Sequence, residues 1–144
     1  MRLFHWTSAK SVFMPEFDAE HRNLYRIADD LRKASSAGAP SEVMIPGIRA
    51  LLAAVEDHFT HEERTMRTAH YPLLKWHKRQ HDTVRKSANV FLARIETGDS
   101  QAAADLLVFF AEWLKNHTSV TDIMMSAFLR AFARSRFARV ARVA

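Results

Sequence analysis

Four stretches of the sequence carry apolar residues at a spacing of three and four, which is the period of an amphipathic α-helix. Three breaks rich in turn-forming residues separate them, at residues 35–40, 69–72 and 97–100. With only 3 glycines and 4 prolines in 144 residues, the chain has little material for further turns. Short connections favour antiparallel neighbours. The sequence therefore predicts an all-α fold, an antiparallel up-down four-helix bundle.

Two further segments flank the four stretches. Residues 1–17 form an apolar arm that we expect to pack across the bundle. Residues 129–144 form a basic helical extension with five arginines and no acid. Without those five, the 21 basic residues fall to 16 and balance the 16 acidic ones. We therefore predict one neutral domain over residues 1–128, with no nucleic acid as partner. We interpret the extension as a solvated helix end; contact with a membrane or a protein is the alternative, and no partner is identified.

Composition excludes several classes of protein. The chain has no cysteine, which rules out disulfides, zinc fingers and iron–sulfur clusters. The longest apolar run, residues 106–111, is too short to span a bilayer, and no signal peptide is recognisable. We expect a cytoplasmic protein without stable membrane insertion. The motif HKRQH lacks the glutamate base of zinc proteases, and no phosphate-binding loop or serine nucleophile elbow is present.

Ionisable side chains lie on the apolar stripes, where an unpaired charge would be costly to bury. The second stretch carries a His-x-x-x-Glu pair, the third a His-x-x-x-His pair, and the first and fourth one histidine each. Residues four apart lie about 40° apart on a helix and can converge on one point. A single inward histidine is usually a hydrogen-bonded core residue, but the whole set indicates a metal site. Its members are His21, His58, Glu62, His77, His81 and His117.

Four motifs around these residues resemble the hemerythrin family, and in particular the single-domain bacterial hemerythrins. They are DAEHRNL, HFTHEERTM, YPLLKWHKRQH and WLKNHTSVTD, and they occur in family order. The resemblance extends from about Trp6 to Phe128. It implies a helical bundle that holds two iron ions, bridged by an oxo or hydroxo group, with dioxygen as ligand.

The resemblance also implies which side chains bind metal. One iron would be bound by His77, His81 and His117 and the other by His21 and His58. Two carboxylates, Glu62 and Asp122, would bridge the two irons. Spacing supports Asp122 least, because five residues beyond His117 lie about 140° round an ideal helix. Glu63 and Asp18 are candidates to hydrogen-bond a metal-bound imidazole from outside. We expect His5, His61 and His70 to be solvated or to lie outside the ligand set.

By analogy with the family, dioxygen binds reversibly at the open position of the two-histidine iron, where it takes two electrons and is held as hydroperoxide. The resemblance places the dioxygen pocket at Phe59, Trp113, Leu114 and Thr118. Thr118 departs from the isoleucine usual in the family, so we expect faster autoxidation. The chain is thus predicted to be a non-enzymatic dioxygen-binding protein, used in storage, delivery or sensing. Two alternatives stay open: a di-iron enzyme acting on peroxide, nitric oxide or ferrous iron, and an interaction module with a structural metal.

Overall fold

The computed structural model describes residues 3–143, so the first two residues of the predicted arm and the last of the predicted extension lie outside it. A 3-10 turn at Ser8–Lys10 and a π-helical turn at His117–Asp122 accompany five helices. The helices are α1 Pro15–Ser36, α2 Ser41–Thr68, α3 Leu74–Glu96, α4 Ala102–Asn116 and α5 Ile123–Val143. Helices α1 to α4 each pack against the next, α1 closes against α4, and α5 joins the bundle through the π-helical turn. The described residues contain no strand, and the predicted all-α bundle is confirmed.

The helices begin and end where local chemistry requires. Pro15 occupies the first turn of α1, where its missing N–H costs nothing. Gly38 and Gly98 follow α1 and α3 with φ of 78° and 89°, a left-handed conformation that glycine adopts without strain. The next residue after each glycine donates its N–H to a carbonyl five residues earlier, which closes the helix end. The breaks in the sequence are therefore the connections of the bundle.

Two apolar clusters fill the interior. The larger lies towards one end of the bundle and includes Leu24, Val55 and Leu114. The smaller lies towards the other end and includes Phe17 and Met66. Along each of the four bundle helices, the ionisable residues fall between members of the two clusters. The site is therefore enclosed by apolar packing above and below.

The arm contacts both apolar clusters, with Phe4 in the larger and Val12 in the smaller, and α5 contributes Met125 and Leu129 to the smaller cluster. Val12 is fully buried, and the Phe4 ring packs against those of Tyr25 and Phe110 at 6.4 and 6.2 Å between ring centroids. The expected packing of the arm is present. Helix α5 runs without interruption across residue 128, so the proposed division of the chain at that point stays a prediction. Among the described residues, no helix is long and apolar enough to cross a membrane.

Candidate metal centre

The structure brings all seven sequence-predicted ligands together in the interior, and none of them is more than 3% exposed. They form two sets of donor atoms that share Glu62. Helix α1 contributes His21, helix α2 His58 and Glu62, helix α3 His77 and His81, and the π-helical turn His117 and Asp122. Helices α1, α2 and α3 therefore contribute through the inward stripes that the sequence indicated, and the turn after α4 contributes the other two side chains.

Three histidines make up one half of the centre. The Nε2 atom of His117 lies 3.1 Å from that of His77 and 3.2 Å from that of His81. In the other half, the Nε2 atoms of His21 and His58 are 3.1 Å apart. Neighbouring ligands of an octahedral ion held at about 2.1 Å are separated by about 3.0 Å. Within each half, the distances between nitrogen atoms therefore match those between neighbouring ligands of a single ion.

Glu62 extends one carboxylate oxygen towards each half. Its Oε1 atom lies 3.3 Å from His58 Nε2, and its Oε2 atom lies 3.3 Å from His77 Nε2 and 3.2 Å from His81 Nε2. The two oxygens therefore divide between the two-histidine half and the three-histidine half. This is the arrangement of a carboxylate that links two ions.

Asp122 divides its oxygens in the same way. Its Oδ2 atom lies 3.3 Å from His21 Nε2, while Oδ1 lies 3.2 Å from His77 Nε2 and 2.9 Å from His117 Nε2. The 140° offset expected for an ideal helix does not apply, because residues 117–122 form a π-helical turn. In such a turn the N–H bonds to the carbonyl five residues back, so residue i+5 takes the place of residue i+4. The extra residue brings Asp122 onto the face of His117.

The hydrogen bonds of two imidazoles indicate that a cation fits this donor set. His81 Nδ1 donates to Glu63 Oε1 at 2.9 Å, and His117 Nδ1 donates to Gln80 Oε1 at 3.0 Å. When Nδ1 carries the proton of a neutral imidazole, its Nε2 atom presents a lone pair. Two lone pairs 3.2 Å apart repel unless a positive charge lies between them. The outward hydrogen bonds thus prepare both Nε2 atoms to bind a metal.

The buried carboxylate oxygens also indicate that a cation fits this donor set. Glu62 Oε1 and both oxygens of Asp122 accept no hydrogen bond, although imidazole nitrogens lie 2.9–3.3 Å away. These contacts lack the alignment of a hydrogen bond, and buried charges need compensation. Nitrogen and oxygen donors without thiolate suit a first-row metal such as iron.

Without a metal, protons would have to supply the compensating charge. Burial alone would lower the pKa of His58, but Glu62 and the other nearby carboxylates outweigh it and raise the pKa to about 10. The pKa of His77 is likewise raised to about 9, because Asp122 and Glu62 outweigh its burial. Protons and metal therefore compete for the same nitrogens.

Outer hydrogen-bond partners were only partly predictable. Glu63 contacts His81 as anticipated, and Arg85 Nη1 holds the same Glu63 oxygen at 2.8 Å. The suggestion for Asp18 was wrong: its carboxylate accepts from Val12 N–H at 2.8 Å and from the Ser11 hydroxyl at 2.5 Å. Asp18 therefore fastens the arm to α1 instead of orienting an imidazole.

Two polar residues near the site were missed. Gln80 orients His117, and the Thr121 hydroxyl also donates to Gln80 Oε1 at 2.8 Å. Glu20 accepts from His61 Nδ1 at 2.8 Å and lies 3.5 Å from His58 Nδ1, at the outer limit of a hydrogen bond. Gln80 immediately precedes His81, and Glu20 immediately precedes His21. Adjacency to a ligand was the only signal in the sequence for either residue.

The remaining histidines lie outside the donor set. His5 and His70 are exposed, and His70 adopts a left-handed backbone with φ of 54° at the end of α2. His61 is partly buried against Glu20 and points away from the seven donors. Their expected positions therefore agree with the structure.

Aromatic side chains cover the three-histidine half. The Phe59 ring stacks on His81 with centroids 3.8 Å apart, and the Trp113 ring stacks on His117 at 4.2 Å. Leu114 is buried in the larger cluster. Thr118 is buried as well, and its hydroxyl donates to the Leu114 carbonyl at 2.7 Å. All four residues predicted for the dioxygen pocket therefore border the centre or lie next to a residue that does.

Comparison with known proteins agrees with the site. The family model described as "Hemerythrin HHE cation binding domain" matches residues 13–128. The chain is 27% identical over 129 residues to a bacteriohemerythrin of Ralstonia nicotianae, covering 90% of each chain. It is 29% identical over 119 residues to a myohemerythrin of Theromyzon tessulatum, covering 83% of this chain and 88% of the relative. A bacteriohemerythrin of Methylococcus capsulatus is 27% identical over 123 residues, with 85% and 93% covered. The chain belongs to the hemerythrin family.

Proposed function

We propose that this protein binds dioxygen reversibly at a pair of non-haem iron ions. Family membership supports non-haem iron and dioxygen as the metal and its ligand. The observation that carries the proposal is the division of the Glu62 and Asp122 oxygens between a three-histidine half and a two-histidine half. One ion would be bound by His77, His81 and His117 and the other by His21 and His58.

The unequal halves explain where a gas molecule would bind. Two six-coordinate irons offer about twelve positions. Five imidazoles, two bridging carboxylates and one solvent-derived bridge would occupy all but one of them. The remaining position would belong to the iron with two histidines, so that dioxygen could enter without displacing a side chain. Ferrous iron supplies the electrons, and the protein supplies position and a protected environment.

The balance of ligands favours binding over oxidation of a substrate. Di-iron sites of ferritin-like bundles use a glutamate from each of two helices and Glu-x-x-His motifs from the others. Here five histidines accompany two carboxylates, so the protein contributes less negative charge to the pair. Because the site has fewer anionic ligands, it stabilises the higher oxidation states of iron less. We therefore propose a carrier and not an enzyme, with storage, delivery and sensing as its possible uses.

Exclusion of water is the second contribution of the chain. Phe59 and Trp113 cover the rings of His81 and His117, and Leu114 fills the core beside them. Phe59 also reaches the two-histidine half, with its ring centroid 6.1 Å from that of His58. We propose Phe59, Trp113, Leu114 and Thr118 as the dioxygen pocket. A pocket without water would slow the release of the ligand as peroxide. Such a release would leave inactive ferric iron.

The visible spectrum of the reduced, iron-loaded protein tests this proposal. A carrier gains a charge-transfer band on exposure to air and loses it again under argon over repeated cycles. Irreversible bleaching after one exposure, or no band from a protein that retains its iron, would contradict reversible binding. Cell fractionation tests the cytoplasmic location, which belongs to the same proposal.

A di-iron enzyme is the second candidate, and the surroundings of Thr118 favour it. Thr118 lines a surface groove of about 280 Å³ together with the side chains of Tyr25, Lys10 and Lys115. Because this groove reaches Thr118, the residue next to His117, it would let small substrates such as peroxide or nitric oxide approach the centre. Steady-state turnover of peroxide or nitric oxide would support the enzyme, whereas a carrier reacts once per site.

A further inference from the structure

The last turns of α5 extend beyond the bundle and have no part in the metal centre. Leu129 is 4% exposed and Phe132 packs against the smaller apolar cluster, but every described residue after Phe132 is exposed. The family model ends at residue 128, so this segment lies outside the part of the chain that defines the family. Neither its charge nor its apolar residues are explained by dioxygen binding.

The exposed turns keep an apolar side. Successive residues of a helix are rotated by about 100° around its axis. On this basis, the apolar side chains of α5 that pack on the bundle and those that follow them lie within one arc of about 140°. The members of this arc are Leu129, Phe132, Phe137, Val140 and Val143. The last three are 77%, 64% and 89% exposed. The face that packs inside the bundle therefore continues into solvent without a partner among the described residues.

Arginines occupy the rest of the helix surface. Arg134 and Arg142 lie opposite the apolar side chains, Arg139 lies about 20° beyond the Phe132 edge of the apolar arc, and Arg136 lies within the arc. Arg130 is held on the bundle, with its guanidinium 5.2 Å from the Phe13 ring centroid. The segment contains no acidic residue. Its surface is therefore strongly cationic. Arg136 interrupts the apolar strip, but its long side chain can bend outwards so that the charge lies away from the apolar residues.

We propose that residues 134–143 form a peripheral docking element for a membrane surface that carries anionic lipids. Anionic headgroups would contact the arginines, and the boundary between headgroups and acyl chains would take Phe137, Val140 and Val143. A nucleic acid would satisfy the arginines but leave the apolar strip in water. A second copy of the helix would bring two sets of arginines together. A lipid surface accommodates both features at once.

Co-sedimentation of the full chain with lipid vesicles tests the proposal. The protein is expected to bind phosphatidylcholine vesicles that contain phosphatidylserine, and to bind pure phosphatidylcholine vesicles at least tenfold more weakly. Binding should weaken as salt is raised, because surface charges are screened. No binding to the anionic vesicles, or equal binding to both, would overturn the proposal.

Two variants separate the contributions. R134Q/R139Q should lower the vesicle partition coefficient about 25-fold, since each arginine near an anionic surface contributes about fivefold. The matched control R67Q/K86Q removes two exposed charges from the bundle and should leave binding nearly unchanged. Phe137→Ala keeps the helix and the charge but removes the largest apolar contact, so vesicle binding should fall severalfold.

A second experiment measures binding of the protein to a duplex oligonucleotide in place of vesicles. If the protein binds the duplex but not anionic vesicles, and Phe137→Ala has no effect, nucleic acid is the partner and the lipid proposal is wrong. The iron content of all variants should match that of the unaltered protein, because none of the changed residues contacts the metal centre. The test is thereby independent of dioxygen binding.

Discussion

Asp122 Oδ1 lies 2.9 Å from His117 Nε2, although five residues separate the two along the chain. The π-helical turn at His117–Asp122 supplies the additional residue that brings both side chains to one face. It does so at the junction between α4 and α5, where the inward stripe of α4 would otherwise have rotated past the centre. The unusual turn thus places the two oxygens of Asp122 between the two halves of the site.

Asp122→Asn should lower the iron content of the purified protein and weaken iron binding at least about tenfold. The amide keeps the shape of the side chain, but it carries no negative charge and only one oxygen, so it cannot serve both halves. Equilibrium titration with ferrous iron under anaerobic conditions measures the change. Asp30→Asn removes a carboxylate that is 61% exposed and is the matched control. Equal iron affinity in both variants would count against a bridging role.

Glu63→Gln should weaken iron binding by about tenfold to a hundredfold, because a carboxylate that accepts from a metal-bound imidazole orients the ring and raises its basicity. His81 Nδ1 donates to Glu63 Oε1 at 2.9 Å, and the neutral amide accepts less strongly. The rate of iron release to a chelator reports the effect. Glu112→Gln on the exposed side of α4 is the control. Identical release rates would show that His81 needs no outer partner.

Removal of the metal should make stability depend on pH in a defined direction. The raised pKa values of His58, about 10, and His77, about 9, mean that the folded metal-free protein binds protons more tightly than the unfolded chain. The resulting stabilisation is complete below pH about 6.5 and is lost as pH rises towards 9 and 10. The Tm of the metal-free protein should therefore fall across that interval.

Iron-loaded protein provides the comparison for this prediction. Its imidazoles hold metal in place of protons, so this contribution to the pH dependence should disappear. Thermal unfolding followed by circular dichroism measures both forms. A metal-free protein whose Tm rises or stays constant from neutral pH to pH 10 would contradict the assignment of charge in the site.

Thr118→Ile should slow autoxidation of the dioxygen-bound protein severalfold. The substitution replaces a hydroxyl next to His117 with an apolar group and makes the surroundings of the centre less accessible to water. Ser119→Ala is a suitable control, because the Ser119 hydroxyl is exposed and also contacts a helix carbonyl. The decay of the charge-transfer band in air gives the rate. A Thr118→Ile variant that decays as fast as the unaltered protein would oppose the role given to this hydroxyl.

Periodicity and turn-forming residues were enough to predict the bundle, because each helix buries one stripe and each break contains residues that end helices. The histidines and Glu62 were identifiable for the same reason, since they occupy apolar stripes where burial without compensation is costly. Asp122 was not accessible to this reasoning. Regular helix geometry places it away from the site, and only the family resemblance indicated it.

The outer residues escaped prediction for a different reason. Glu20 and Gln80 are polar residues on partly exposed helix faces, where such residues are common without any role. Their contacts with His61 and His117 depend on how neighbouring helices are rotated against each other. Asp18 illustrates the converse: its position near His21 in sequence suggested an imidazole partner, but the arm offered it closer donors.

The iron-to-protein ratio of ferrous-loaded, desalted protein tests the central claim most directly. Seven buried side chains in two halves, with the oxygens of Glu62 and Asp122 divided between them, predict two tightly bound irons per chain. A ratio of one, or loss of all iron on desalting, would show that these side chains do not hold a pair of ions.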